Sequence, residues 1–176
     1  MFSTLKDVVG VMDMDGFTIS KKFYCKELGL IKVGDVAAKT YFFDLGMRWS
    51  ELHSKDKKTC DYVMRLIHKL PFGVPPGVKA IALSALEATV VDCYHEVRQS
   101  EKSVVAYKGG HIERDLLRNL GIPSLNLECF GCPKAEGLIR RMIWLETCGN
   151  HTTRDAYWHC QKVEVEAYGR WLEKVM

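Results

Sequence analysis

Three apolar segments in the first 45 residues have the lengths and residue types of β-strands, so the chain opens with strands that can pair directly as hairpins. Strands and helices then alternate. The predicted strands cover residues 7–15, 23–33, 39–45, 103–107 and 125–128, and the predicted helices cover residues 60–70, 80–98, 111–120, 135–146 and 161–175. This order predicts an α/β fold, in which a mixed five-stranded sheet carries helices on both faces within a single domain, residues 1–176.

Composition narrows the function classes. The 176 residues suffice for one hydrophobic core, and no apolar run approaches the ~20 residues of a membrane span. The first residues lack the basic start and apolar core of a secretory signal, which predicts a cytoplasmic or nuclear protein. Seven cysteines without an export signal favour thiols or metal ligands over disulfides. The net charge of +3 permits nucleic-acid binding without requiring it.

Two acids, Asp13 and Asp15, follow the apolar residues of the first predicted strand. Residues i and i+2 of a strand face the same side, so both carboxylates should project into one site. Adjacent anions repel each other unless a cation lies between them, and Mg²⁺ prefers such oxygen ligands. The alternative is a surface turn. Haloacid dehalogenase-like phosphatases also begin with Asp-x-Asp-Gly-Thr, but Phe17 occupies the position of that Thr.

A second cluster lies near the C-terminus, where Cys148-x2-His151 is followed by His159-Cys160. Thiolate and imidazole suit Zn²⁺, which takes four ligands in structural sites. The alternative is four unrelated core or surface residues. Cys129-x2-Cys132 offers a rival metal site, although it also fits a simple loop.

The C-terminal pattern resembles that of the DEDDh 3′–5′ exonucleases, which have the ribonuclease H-like fold, and above all the exonuclease domain of arenavirus nucleoproteins. That domain carries Cys-x2-His, then His-Cys, then an acid five residues after the His, where this chain has Glu164. The Maelstrom domain has a similar Glu-Cys-His-Cys zinc set. The zinc ligands that the resemblance implies are Glu27, Cys148, His151 and Cys160, with Cys25 as an alternative to Glu27.

The resemblance also implies a catalytic site. Its residues would be Asp13, Asp15, Glu113, His159 and Glu164, with Asp115 as an alternative to Glu113. The four acids would hold two Mg²⁺ or Mn²⁺ ions, and His159 would act as the general base. Asp15 stands where the family motif has Glu, and Glu164 also differs from the usual residue by one methylene.

The function that follows is metal-dependent hydrolysis of nucleic acid, RNA rather than DNA, from its 3′ end. Candidate phosphate contacts are Lys108, Arg114, Arg118, Arg140 and Arg141. Two alternatives stay open. One is a Maelstrom-like module that binds RNA or a protein without cleaving it, and the other is the phosphatase.

Overall fold

Six strands form one mixed sheet in the part of the chain that the computed structural model describes, residues 3–142, 145–152 and 158–176. They are β1 (Val8–Ile19), β2 (Lys22–Lys32), β3 (Lys39–Asp44), β4 (Ile81–Ala82), β5 (Val104–Tyr107) and β6 (Ser124–Asn126). The spatial order is β4-β3-β2-β1-β5-β6. β1 and β2 form the predicted antiparallel hairpin, whereas β5 runs parallel to β1 on its other side.

Helices cover both faces of this sheet, as predicted. They are α1 (Ser54–Leu66), α2 (Leu86–Val97), α3 (His111–Asn119), α4 (Ala135–Ile139) and α5 (Gln161–Val175). On one face, Val11 and Ala106 pack with buried residues of α4 and α5. On the other face, Met12 and Val105 pack with residues of α2 and α3. The alternation along β1 thus divides the core into two layers, which confirms a single α/β domain.

The prediction of five strands was wrong. The additional strand, β4, pairs with the edge of β3 through Phe43↔Ile81 and Asp44↔Ala82. Its residues fall in the helix predicted over 80–98, which begins only at Leu86 after a 3₁₀ turn. Two residues are too few to show the period-2 pattern of a strand, so the sequence predicted that Ile81 and Ala82 belong to the longer helix that follows them.

The first predicted strand ended too early at residue 15, because β1 continues to Ile19, and the chain turns at Ser20 and Lys21, both with positive φ. The register of β1 and β2 shifts between Asp15 and Gly16, which makes Gly16 part of a β-bulge. A Cβ at Gly16 would lie 2.1 Å from the carbonyl oxygen of Tyr24, so only glycine fits there. The two acids therefore lie inside a long strand.

Other boundaries moved by up to two turns. The helix predicted over 60–70 is α1, and the strand predicted over 125–128 ends at Asn126 before a 3₁₀ turn. The helix predicted over 135–146 ends as α4 at Ile139, and residues 143–144 of that prediction lie outside the described part. Within the described residues, the helices lack the length and hydropathy that a membrane crossing demands.

Candidate metal and catalytic site

Three acids from different elements meet beside the middle of β1. Asp13 lies on β1, Glu113 in the first turn of α3, and Glu164 in the first turn of α5. The carboxyl groups of Glu113 and Glu164 both lie within hydrogen-bonding reach of the Asp13 carboxyl. The backbone N–H of Met14 donates to Asp13 Oδ1 at 3.0 Å and to Glu113 Oε1 at 3.3 Å. The structure thus brings together acids that are up to 151 residues apart in sequence.

Burial and mutual repulsion make this acidic cluster unfavourable without a cation. Burial raises the pKa of Asp13 well above its usual range, and the negative charges of Glu164, Glu113 and Asp15 raise it further. Burial also raises the pKa of Asp15 to about 8, although the N–H of Gly16 opposes that shift. The pKa values of Glu113 and Glu164 are raised mainly by burial as well. Divalent cations bound by these oxygens would remove the repulsion, so the acids fit such ions.

Glu113, rather than Asp115, faces Asp13. The side chain of Glu113 is buried, whereas Asp115 is partly exposed and accepts a hydrogen bond from Arg114 at 2.9 Å. The two acids are two positions apart on α3 and so lie on different sides of the helix. Asp115 therefore provides a natural comparison for the role of Glu113.

A separate group of four residues could hold a metal ion: Glu27, Cys148, His151 and Cys160. Their ligand atoms all lie within 4.8 Å of one another. Tetrahedral zinc places its ligand atoms about 3.3–3.8 Å apart, so a small contraction would complete such a shell. Glu27 lies on β2, and Cys160 is the residue directly before α5. Cys148 and His151 lie in the loop that leads to α5. This is the set that the family resemblance implied.

The alternative ligands lie outside this group. The thiol of Cys25 donates to the backbone oxygen of Glu27 at 3.4 Å. The thiol of Cys132 donates to the Pro133 oxygen, and Cys129 is exposed. Within the described ranges, none of these three cysteines belongs to a group that could bind a metal.

Two buried atoms of the four-residue group face each other without a hydrogen bond. His151 Nδ1–H donates to the backbone oxygen of His68 at 2.5 Å, which leaves Nε2 directed at Glu27 Oε2, 3.0 Å away. Neither of these two atoms has a hydrogen-bond partner within the described residues. Burial alone would lower the pKa of His151, but the adjoining Cys160 and the Glu27 carboxylate raise it to about 10. A positive charge is therefore favoured between Nε2 and the carboxylate, and a metal ion supplies one.

Backbone amides support the thiolates of the same group. Cys148 N–H donates to Cys160 Sγ at 3.2 Å, and Asn150 N–H donates to Cys148 Sγ at 3.4 Å. Hydrogen bonding with Cys148 is the main cause that lowers the pKa of the Cys160 thiol to about 4. Because thiolate is the metal-binding form of cysteine, these contacts prepare Cys160 as a ligand.

The two clusters lie side by side. Asp15 on β1 is paired across the hairpin with Glu27 on β2, and the charge of Glu27 contributes to the raised pKa of Asp15. α5 likewise begins after Cys160 and presents Glu164 one turn later. The β1–β2 hairpin and α5 each contribute residues to both clusters. A cation bound at one cluster should therefore also stabilise the elements that form the other.

A cavity of about 480 Å³ opens beside Glu164 and His159. Burial, together with the nearby His151 and Lys69, lowers the pKa of His159, so the imidazole is neutral near pH 7. Lys108, Lys134 and Trp158 also line this cavity. A neutral imidazole, a carboxylate and two lysines around one opening can accept a proton and bind an anionic ligand.

Of the five predicted phosphate contacts, Lys108 lines this cavity, where it forms a 3.2 Å ion pair with Glu128. The four arginines, Arg114, Arg118, Arg140 and Arg141, are outside the described lining of the cavity. Sequence reasoning missed Lys134, Trp158 and the buried His68. Trp158 precedes the predicted His159, which is a usable signal, whereas nothing in the sequence distinguishes Lys134 from other surface lysines.

Comparison of the chain with family models, curated proteins and solved structures found no match. Similarity to a characterised protein therefore supplies no function. What remains is the chemistry of the site: two buried and two half-buried acids, a neutral imidazole and a metal-binding group of Glu, two Cys and His.

Proposed function

We propose that this protein is a metal-dependent 3′–5′ exonuclease of the ribonuclease H-like fold, acting on nucleic acid and preferentially on RNA. The observation that carries the proposal is the meeting of Asp13 with Glu113 and Glu164, acids from three elements, in a buried cluster. A surface turn at Asp13 and Asp15 would not bring four carboxylates together beside a histidine. The helix-covered mixed sheet centred on β1 is in keeping with the proposed fold.

The chemistry follows from the site residues. Two Mg²⁺ or Mn²⁺ ions held by Asp13, Asp15, Glu113 and Glu164 would supply neutralisation of the phosphodiester charge and Lewis-acid activation. His159, whose pKa is lowered by partial burial and by the nearby His151 and Lys69, would accept the proton of the attacking water on a ring nitrogen.

The cavity residues would hold the substrate. Lys108 and Lys134 would contact its phosphates, and the Trp158 ring would contact a base. Cleavage of the terminal phosphodiester would release a 5′ nucleoside monophosphate.

The metal of the second group is proposed to be Zn²⁺, because two thiolates, one imidazole and one carboxylate fill a tetrahedral shell without an open position. Its role would be structural. Metal analysis of the purified protein should find one zinc per chain, and Cys148→Ser should lose it. Retention of a full equivalent of zinc by Cys148→Ser would place the metal elsewhere.

The nuclease is tested with RNA and DNA oligonucleotides labelled at the 5′ end, incubated with Mn²⁺. The parent should shorten RNA stepwise from its 3′ end, and Asp13→Asn should do so roughly 100-fold more slowly or worse, because cation binding contributes several kcal/mol. Asp115→Asn is the matched control, since that acid pairs with Arg114 away from the cluster, and it should retain the parent rate.

Other outcomes would redirect the proposal. RNA binding without any metal-dependent shortening by the parent would overturn the exonuclease in favour of a Maelstrom-like binding module. Hydrolysis of a generic phosphomonoester, lost in Asp13→Asn, would instead favour the phosphatase. An exonuclease should leave that compound intact.

A further inference from the structure

His68 lies in the loop after α1, and its side chain is 1% exposed. The ring packs edge-on against Phe17, with the centroids 4.9 Å apart. Its polar atoms all face the protein interior, between the β-bulge of β1 and the loop that carries Cys148 and His151. A buried imidazole in this place is unexplained by the proposed chemistry, in which it touches neither the substrate cavity nor a metal.

The hydrogen bonds of the ring fix its tautomer. The backbone N–H of Leu70 donates to Nδ1 at 3.0 Å, so Nδ1 carries the lone pair. Nε2 therefore carries the proton, which it donates to the carbonyl oxygen of Gly16 at 2.9 Å. Both ring nitrogens are thus committed to structural hydrogen bonds.

The bond to Gly16 holds the β-bulge next to a proposed cation ligand. Gly16 N–H donates to Asp15 Oδ1 at 2.8 Å and so orients that carboxylate. The Gly16 backbone is also in close contact with β2, where a Cβ would collide with the Tyr24 carbonyl oxygen. Its carbonyl oxygen accepts the hydrogen bond from His68 Nε2–H.

The main chain of the same loop holds the metal-binding group. The carbonyl oxygen of His68 accepts from His151 Nδ1–H at 2.5 Å, and the carbonyl oxygen of Lys69 accepts from Thr152 N–H at 2.8 Å. A metal-binding histidine commonly donates its second ring N–H to such a carbonyl, which sets the orientation of the ring. Lys69 has a φ of 57°, so this connection needs a left-handed residue.

We infer that His68 is a positioning residue that joins the two metal sites: its ring fixes the bulge that orients Asp15, and its carbonyl orients His151. The inference rests on the proposed function for the role of Asp15, but the hydrogen bonds at both ends are independent of it. The loop after α1, which has no counterpart in the motif pattern, would thereby set the geometry of both sites.

The test compares two amides at position 68. His68→Gln retains a donor at the distance of Nε2, within reach of Gly16, whereas His68→Asn retains only an acceptor for Leu70. Zinc affinity is measured by competition with a chelator, and Mn²⁺ affinity by electron paramagnetic resonance. Both readouts work on protein without nuclease activity, so a failed proposed function is distinguishable from a failed inference.

His68→Asn should bind Mn²⁺ about 10-fold more weakly, the lower end of the effect of losing an outer hydrogen bond, and His68→Gln should restore most of that affinity. Zinc affinity should fall in His68→Asn by a similar factor, because the loop that loses its bond to Gly16 no longer holds the residue 68 carbonyl oxygen against His151. Unchanged zinc affinity would mean that the ring affects Asp15 alone, and would overturn the inference that His68 joins the two sites. The control is His95→Gln, which replaces an exposed histidine and should change neither the Mn²⁺ affinity nor the zinc affinity. Equal Mn²⁺ affinities for the Asn variant and the parent, or equal losses in the Asn and Gln variants, would overturn the inference.

Discussion

Asp13 and Asp15 lie two positions apart on β1, close enough that the charge of Asp15 raises the pKa of Asp13. The fixed period of two in a strand predicts this proximity from the sequence. The later acids were harder to place. Glu113 and Asp115 share the start of α3, and the sequence does not state which side of that helix meets β1. The hydrogen bond from Met14 decides it, and this contact spans 99 residues of chain.

His68, in contrast, could not be predicted as a functional residue from the sequence. It lies in a segment without any motif, directly after Leu66 and Ile67, and the sequence alone predicts only an ordinary core or surface histidine there. Its importance depends on the bulge at Gly16 and on the loop at His151, neither of which can be located from local sequence.

Cys60, on the buried side of α1, carries a prediction about pH. Burial, aided by the charge of Asp56, raises the pKa of its thiol from 9.0 to about 11. Between these two pH values the unfolded chain has lost the proton and the folded protein keeps it, so the free energy of unfolding falls as pH rises from 9 to 11. A shift of this size corresponds to about 1–3 kcal/mol once residual solvent access is allowed for.

Cys60→Ala should therefore lose this part of the pH dependence. Urea unfolding at pH 8, 9, 10 and 11 should show the difference in stability between parent and variant shrinking across the window. Cys129→Ala changes an exposed cysteine and should follow the parent profile. A difference between parent and Cys60→Ala that stays constant from pH 9 to 11 would contradict the prediction.

At the scale of elements, β2 and α5 approach each other closely at Gly29. This glycine is paired with Asp13 across the hairpin, and a Cβ there would lie 2.4 Å from the carbonyl oxygen of Gln161, the first residue of α5. Because Gly29 has no side chain, the first residue of α5 can pack directly against β2. Glu164 and Cys160, one on each side of that contact, thereby reach their clusters.

Gly29→Ala should lower the free energy of unfolding by about 1–3 kcal/mol, the cost of an added methyl group in a packed contact. It should also weaken Mn²⁺ binding, because α5 must move away from Asp13. Gly137→Ala is the matched control: a Cβ there meets open space within α4, and helix propensity favours alanine by up to about 1 kcal/mol. Unchanged stability and Mn²⁺ binding in Gly29→Ala would contradict this view of the contact.

Strands and helices differed in how well they could be predicted. β1, β2 and α5 are long and strongly patterned, so their presence was predicted correctly. β4 consists of two residues that pair with the edge of β3, and α4 ends at Ile139 after only five residues. Elements this short do not show a periodic pattern in the sequence, so their bounds could not be predicted.

At the scale of the whole molecule, the metal-binding group ties the hairpin to the C-terminal helix. Glu27 comes from β2 and Cys160 from the start of α5, 133 residues later. The loop that contributes Cys148 and His151 is held in turn by the segment after α1. Removing the metal replaces an ion held by four ligands with a single ion pair between Glu27 and His151, and so weakens the connection between β2, this loop and α5.

Zinc removal should therefore destabilise the whole domain. At a free zinc concentration about 1,000-fold above the dissociation constant, binding contributes about 4 kcal/mol, which corresponds to roughly 8–16 °C in Tm for a domain of this size. A zinc-selective chelator, added with Mg²⁺ in excess so that the acidic cluster keeps its ions, should lower the Tm of the parent by that amount in a calorimetric scan. Cys148→Ser should start at the lower Tm and show no response to the chelator. If the parent Tm is the same with and without chelator while metal analysis shows that the zinc has gone, the metal does not hold these elements together.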